Sequence, residues 1–401
     1  MRASSSNEST VSGRIIKIAI AAIAIGMVMM LIAMGTSLGL QKEIKAKTIA
    51  LSGDIRIAPF ENNNSSISIT PIDTLELRKE RWWDKAKVAH LYPYVSKGVL
   101  LKTKSEFEGA VVKGVDAAFP WEKLRPYLME GSFPVFDSVV SKDLVLSQTL
   151  AQKLQLNLGD RVTAYFQNNK EGALPRIRYF TLTAIYQTGF PDFDNSIVFA
   201  DIKQIQRLNN WTAQQIGGME LFLTPQSDPV TYAEKIYREL PPHIDVQRVD
   251  QLYEGIFDWI ALFDFNVLII LIVMILVGTL NMTTALLVLI LERSRMVGVL
   301  KSMGARNGQI QCVFLWNAVY IIIRGLVYGN AIGLTFLMGQ SYFGWVQLDP
   351  VTYFVSTLPV LLPIHLVVGL NLFVLIVCSV LLWIPSFIVG RVDPTEVVRF
   401  R

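Results

Sequence analysis

The chain has 401 residues, of which 52% are hydrophobic and only 17% charged, with a mean hydropathy of +0.40. Soluble domains carry about 25% charged residues, so a large share of this chain is expected in lipid and an ordinary soluble enzyme is excluded. The net charge is only +4, and no basic run or aromatic-interleaved patch suggests nucleic acid as a partner.

Residues 1–17 form a short N-terminus carrying Arg2, Arg14 and Lys17, and no charge follows from Ile18 through Gln41. Crossing a hydrocarbon core of about 30 Å takes roughly 20 apolar residues, so 18–40 is the first predicted span. The alternative is a cleaved signal peptide. The apolar run exceeds the roughly 7–15 residues of such segments, and no small-residue cleavage site ends it; a retained anchor is expected. Met27, Met30, Met34 and Leu38 within it suit either lipid contact or an adaptable apolar binding surface.

Residues 41–258 read as soluble protein. Period-two runs at 54–57, 98–103, 109–115, 161–166, 179–186 and 218–223 predict half-buried strands. Helical patterns fall between them at 147–154, 201–208 and 229–240, giving an α+β domain with room for a two-lobed core. The stretch from Asn168 to Arg178 lies between two strands, and Gly172 and Pro175 shape it as a hairpin presenting Leu174, Pro175, Arg176, Ile177 and Arg178. Nothing predicts catalysis or metal binding. His90, His243 and His365 make no ligand spacing, and neither a nucleophile elbow nor a phosphate-binding loop is present. Asp192 and Asp194 flank a turn, where such pairs are usually solvated.

Phe257, Ile260 and Phe263 lead into a second uncharged run at 265–291, with Trp259 placed where aromatic rings anchor at an interface. A cytoplasmic stretch, 292–309, is followed by a third span at 310–338, an outer loop at 339–359, a fourth span at 360–384 and a tail at 385–401. Basic residues flank these segments on one side: Arg293, Arg295, Lys301 and Arg306, then Arg391, Arg399 and Arg401. Counting positive charges puts both termini in the cytoplasm; Lys42, Lys45 and Lys47 run against that count. Cys312 and Cys378 lie in spans as apolar fillers. Arg324 interrupts span three near its middle. An intramembrane charge marks function by default, and Arg324 is expected to face the bundle or a partner subunit, near Asn281 or Asn330, as a structural clamp or a mechanistic group.

The 292–304 segment is the most informative. Met296, Val299, Leu300 and Met303 recur at i, i+3, i+4 and i+7, on one helical face, and Gly304 is placed to end the helix. Such a helix either lies on lipid headgroups or inserts into a groove on a soluble partner.

The pattern Glu292-Arg293, Gly298-x-Leu300-Lys301-x-Met303-Gly304-Ala305, directly after a span, resembles the coupling helix of ABC-transporter permeases of the FtsX/MacB type. The resemblance extends to Leu156-x-x-Gly159-Asp160-x-Val162 and to the ending Pro394-x-Glu396-x-Val398-Arg399. Within that family the chain is most similar to the lipoprotein-releasing LolC/LolE type, through Gly39 to Ile44 after span one and the four-span plan. The ending Arg399-Phe400-Arg401 departs from that type.

The resemblance implies that this subunit holds no nucleotide, ATP and Mg being bound by a separate cytoplasmic ABC ATPase dimer that pushes on Glu292, Arg293, Met296, Val299, Leu300, Met303 and Gly304. It implies a second permease copy or paralogue, a lipoprotein substrate, and a periplasmic carrier gripped by the 174–178 hairpin, although an ordinary hairpin loop reads equally well. A substrate cavity is then expected from Met27, Met30, Met34, Leu38, Phe257, Ile260 and Phe263. The alternatives are export of a peptide or toxin, a non-transporting relay to a periplasmic hydrolase, and a receptor without an ATPase.

Overall fold

The computed structural model describes residues 4–63, 65–78, 82–137, 139–168 and 174–386. The C-terminal pattern at 394–399 lies outside the described residues. The described chain divides into two compact units: an α/β unit of Glu43–Phe257 with Leu348–Ser356, and a helical unit formed by the rest.

The main helices are α1 (Ser4–Ser52), α2 (Gln148–Lys153), α3 (Ile202–Asn209), α4 (Pro229–Glu239), α5 (Glu254–Glu292), α6 (Ser294–Ser302), α7 (Asn307–Phe343) and α8 (Ile364–Ser386). Strands in chain order are β1 (Ile55–Pro59), β2 (Ile72–Asp73), β3 (Val88–Lys102), β4 (Phe107–Val115), β5 (Leu128–Gly131) and β6 (Asp143–Ser147). They continue as β7 (Arg161–Phe166), β8 (Arg176–Tyr186), β9 (Ile197–Asp201), β10 (Gln215–Ile216), β11 (Gly218–Leu223) and β12 (Ile244–Arg248).

Ten strands form one mixed sheet in the order β12-β1-β11-β3-β4-β9-β6-β8-β5, with β7 bridging β3 and β8. The pairs β4–β9 and β6–β8 are parallel and the rest antiparallel. Alternation sends Ile55, Ile57, Leu221, Val95 and Val112 into a single continuous core rather than two lobes, with Leu150, Ile205 and Ile236 of the helices packed into it. The helices start where short polar side chains accept their first free N–H groups: Ser147 from Leu150, Asp201 from Lys203, and Asp228 from Thr231. Asn210 ends α3 in the left-handed conformation.

The opposite face of the sheet centre is polar and also buried. Lys113 on β4 pairs with Glu220 on β11 at 2.6 Å, and the Tyr92 hydroxyl donates to the same carboxylate. Lys113 also donates to the carbonyl of Leu51 in the last turn of α1. Burial holds its ammonium below the ordinary lysine value, an effect that Glu220 opposes. Residues 348–356, expected as plain loop, belong to this unit: Phe354 stacks on Phe190 at 4.5 Å, and Lys47 donates to the carbonyls of Thr188 and Phe354.

In the helical unit, α1, α5, α7 and α8 are long and apolar enough to cross a bilayer. Helix α7 packs on α1 through glycines one turn apart. A Cβ on Gly325 would lie 2.7 Å from Ile23 Cβ, one on Gly329 2.6 Å from Met27 Cβ, and one on Gly333 3.0 Å from Leu31 Cδ1. Such small-residue stripes let helix backbones approach where lipid removes the hydrophobic drive between helices. Asn330 and Asn371 exchange two amide hydrogen bonds, at 2.6 and 3.0 Å, joining α7 to α8. Replacing Gly329 by Leu should force α1 and α7 apart and cost about 1–3 kcal/mol or more, read as a lowered thermal midpoint of the purified chain, whereas Gly308→Leu, at a site open to solvent, should leave it unchanged.

Candidate functional site

Helix α5 ends at Glu292, the chain turns at Arg293, and α6 follows at once. Val297 and Gly298 are buried, and Val297, fully so, joins the helical core with Ile290 and Ile310. This anchors one side of α6. The other side carries the predicted apolar face outward: Met296 is 43% exposed, Val299 50%, Leu300 37% and Met303 79%. Gly304 adopts φ +92°, its N–H bonding the Lys301 carbonyl, so the left-handed residue sits where the sequence placed it. Glu292 and Arg293 are exposed beside the turn. The arrangement is a rigidly held apolar ridge rimmed by basic residues. Burying a Met or Leu side chain fully is worth about 1.5–3 kcal/mol, so this ridge offers several kcal/mol to whatever covers it.

The hairpin exists as paired β7 and β8, with Ala164 opposite Arg178 and Phe166 opposite Arg176. Its tip at 169–173 lies outside the described residues. Leu174 is 86% exposed and Pro175 is also exposed, whereas Arg178 is half-buried. Arg176 is engaged at the base, donating to the Leu208 carbonyl at 2.8 Å and to Asn210 Oδ1 at 2.9 Å. Exposed Ile177 and Tyr179 on β8, with Leu100 on β3 and Phe107 on β4 across the intervening β7, extend the apolar surface along the sheet. Sequence reading missed that extension, because only strand register brings the four together.

The expected cavity residues separate. Met27 and Met30 are buried in the helical core, Met27 against Gly329, so they pack helices and do not line an open surface. Met34 and Leu38 are half-buried. Phe257 is half-buried at the end of the α/β unit; in the helical unit Ile260 is buried and Phe263 meets Trp259 edge-on at 5.0 Å. Arg324 does not face the bundle interior. It stands on the exposed side of α7 with its guanidinium 4.4 Å from the Tyr320 ring centroid, while Asn330 is taken up by Asn371. The buried side of α7 has no room for a long side chain, since Ile321, Gly325 and Gly329 fill it at close range.

Two family models match the chain: the MacB-like periplasmic core domain over residues 18–250 and the FtsX-like permease C-terminal over 268–394. The chain is similar to the lipoprotein-releasing system transmembrane protein LolC of Neisseria meningitidis, at 22% identity over 85% of this chain and 83% of that one. It is similar to LolC of Haemophilus influenzae at 25% identity, over 76% and 73%, and to LolE of the same organism at 22%, over 84% and 82%. Among solved structures it is similar to the periplasmic region of MacB from Actinobacillus actinomycetemcomitans, at 13% identity over 50% of this chain and 91% of that one, with a TM-score of 0.36. With the first model covering more than half of the sequence and the second most of the remainder, the chain belongs to the FtsX/MacB-type ABC-transporter permeases, alongside LolC and LolE.

Proposed function

We propose that this chain is the membrane permease subunit of an ATP-driven transporter that lifts lipoproteins from the outer leaflet of the cell inner membrane and passes them to a periplasmic carrier. The observation that carries the reading is the outward apolar ridge of α6, held at the end of α5. Helices α1, α5, α7 and α8 are the four spans, with both termini and α6 in the cytoplasm and the α/β unit outside. A separate ABC ATPase binds ATP and Mg and receives the ridge in a groove. Membrane-crossing helices satisfy their backbone polar groups internally, so α5 acts as a stiff rod between the ridge and the far side.

The open apolar side of α5, with Leu268, Ile272, Leu276 and Leu280 exposed, suits a second permease copy or paralogue. The similarity to lipoprotein-releasing LolC and LolE supports a lipoprotein as the cargo. Extraction must offset about 0.8 kcal/mol per acyl methylene, which is why ATP is needed. Met34, Leu38 and Phe263, which keep part of their surface open, are the remaining candidates for acyl contact.

The test is co-expression of the tagged full chain with a lipoprotein-release-type ABC ATPase of the same organism: the two should co-purify in detergent, and failure to associate would sink the reading. For the carrier, Leu174→Asp should reduce cross-linking of the hairpin to the carrier at least about tenfold while ATPase association stays unchanged; unchanged cross-linking would remove the hairpin from the account.

A further inference from the structure

Residues 348–356, from the chain between α7 and α8, pack within the α/β unit through Phe354. The turn at 188–194 receives them, and Asp194 builds that turn. Expected in a solvated turn, Asp194 is buried instead: its carboxylate accepts from the Thr188 N–H at 3.1 Å, the Thr188 hydroxyl at 2.8 Å and the Gly189 N–H at 2.9 Å. Gly189 takes φ +78°. Phe190 follows it, and Phe354 stacks on that ring with the two planes 14° from parallel.

Lys47 locks the pair. Its buried ammonium gives one hydrogen to the Thr188 carbonyl and one to the Phe354 carbonyl, both at 2.7 Å, with the Tyr127 ring centroid 5.5 Å away. One side chain thus ties three segments: the end of α1, the 188–194 turn and the 348–356 loop. A lysine that runs against the positive-charge count is spent inside the domain. Two features make the closed state costly. Phe354 has φ +60°, a left-handed conformation that a bulky residue rarely adopts. The Lys47 ammonium has left water, and burial lowers it from the ordinary lysine value against the pull of Glu43 and Asp194. Strained backbone persists only where its surroundings hold it, and it clusters at switch regions.

We propose that Lys47 and Phe354 form a releasable clasp, which in its open state frees residues 348–356 from the 188–194 turn. Closed, the clasp gives the domain a third connection to the rest of the chain, through α7 and α8. Open, it leaves the domain joined through α1 and α5 alone. In the ATP-driven cycle the clasp opens in each round, so that the domain moves without carrying α7 and α8 with it. Opening is a property of the α/β unit alone; its place in the cycle rests on the transport reading.

Chymotrypsin digestion of the purified full chain in lipid nanodiscs tests the opening. Cleavage after Phe354, whose next residue Val355 is buried, requires the open form. Slow cleavage there is expected in the wild type and cleavage at least about tenfold faster in Lys47→Met, since the rate follows the open population, with the thermal midpoint unchanged. Equal rates would overturn the proposal. If Lys47→Met lowers the midpoint, Phe190→Leu, which keeps apolar volume and loses the stack, decides by the same comparison. The cycle is tested in vesicles holding the ATPase, with lipoprotein and carrier supplied. Phe190→Cys combined with Phe354→Cys, cross-linked by copper phenanthroline, should keep ATP hydrolysis, lose lipoprotein transfer and regain it on reduction. Undiminished transfer by the cross-linked chain would overturn the clasp's part in the cycle, whereas a wild-type chain that transfers nothing would count against the transport reading alone.

Discussion

Replacing Met296 and Leu300 together by Asp is expected to abolish co-purification with the ABC ATPase while leaving the chain folded. Both side chains are exposed in the free subunit, and neither belongs to the helical core, which Val297 serves from the other side of α6. Interface anchors of this kind cost about 2 kcal/mol or more each when lost, so the double change should weaken association on the order of a thousandfold. Val297→Asp is the contrasting variant. It buries a charge among Ile290 and Ile310 and should unfold the loop, lowering the thermal midpoint of the subunit itself. If the Met296/Leu300 double variant still binds the ATPase as wild type does, α6 is a headgroup-lying helix and not a coupling element.

The second large effect is expected at the buried pair on the polar side of the sheet. Lys113→Met leaves Glu220 and the Tyr92 hydroxyl facing each other without a counter-charge, and Glu220→Leu strands the ammonium. Each single change should destabilise the α/β unit by about 3–5 kcal/mol, whereas removing both charges together should be far milder, because the desolvation penalty of the pair disappears with it. Limited proteolysis of the full chain across a denaturant series measures this. Equal, additive losses in the double variant would mean that the two groups act independently, against the 2.6 Å geometry.

How far the sequence foretold this structure differs by element. The i, i+3, i+4, i+7 spacing in 296–303 needs only helix geometry, so the ridge and its glycine stop could be read directly. Its direction could not, because Val297 turns inward only through contacts with α5 and α7. The same limit explains the methionines of α1. Spacing cannot tell a lipid-facing methionine from a core one, and the glycines at 325, 329 and 333 decide it for Met27. Those glycines recur at four-residue intervals, a small-residue stripe that marks the packed face of α7.

A charge in an apolar segment suggests an interior position, but the interior side of α7 is crowded, and Tyr320 one turn away offers a ring face to the guanidinium. In the α/β unit, β9 was missed because its run is short and buried on both sides. The polar row of Arg56, Glu220, Tyr92 and Lys113 was invisible for a different reason: it joins strands far apart in the chain, and only register aligns them. Arg176 shows the reverse case, a residue correctly placed on the hairpin whose guanidinium is spent on the end of α3.

Energy-coupled release of a lipoprotein can be measured in vesicles. The full chain, its ABC ATPase and any paralogous permease would be reconstituted with a fluorescent triacylated lipoprotein, and transfer to soluble carrier protein would be followed with and without ATP. Carrier-bound lipoprotein should appear only with hydrolysable ATP and disappear with the Met296/Leu300 double variant. Release that proceeds equally without ATP, or a complex that hydrolyses ATP yet leaves every acyl chain in the bilayer, would contradict the transport reading.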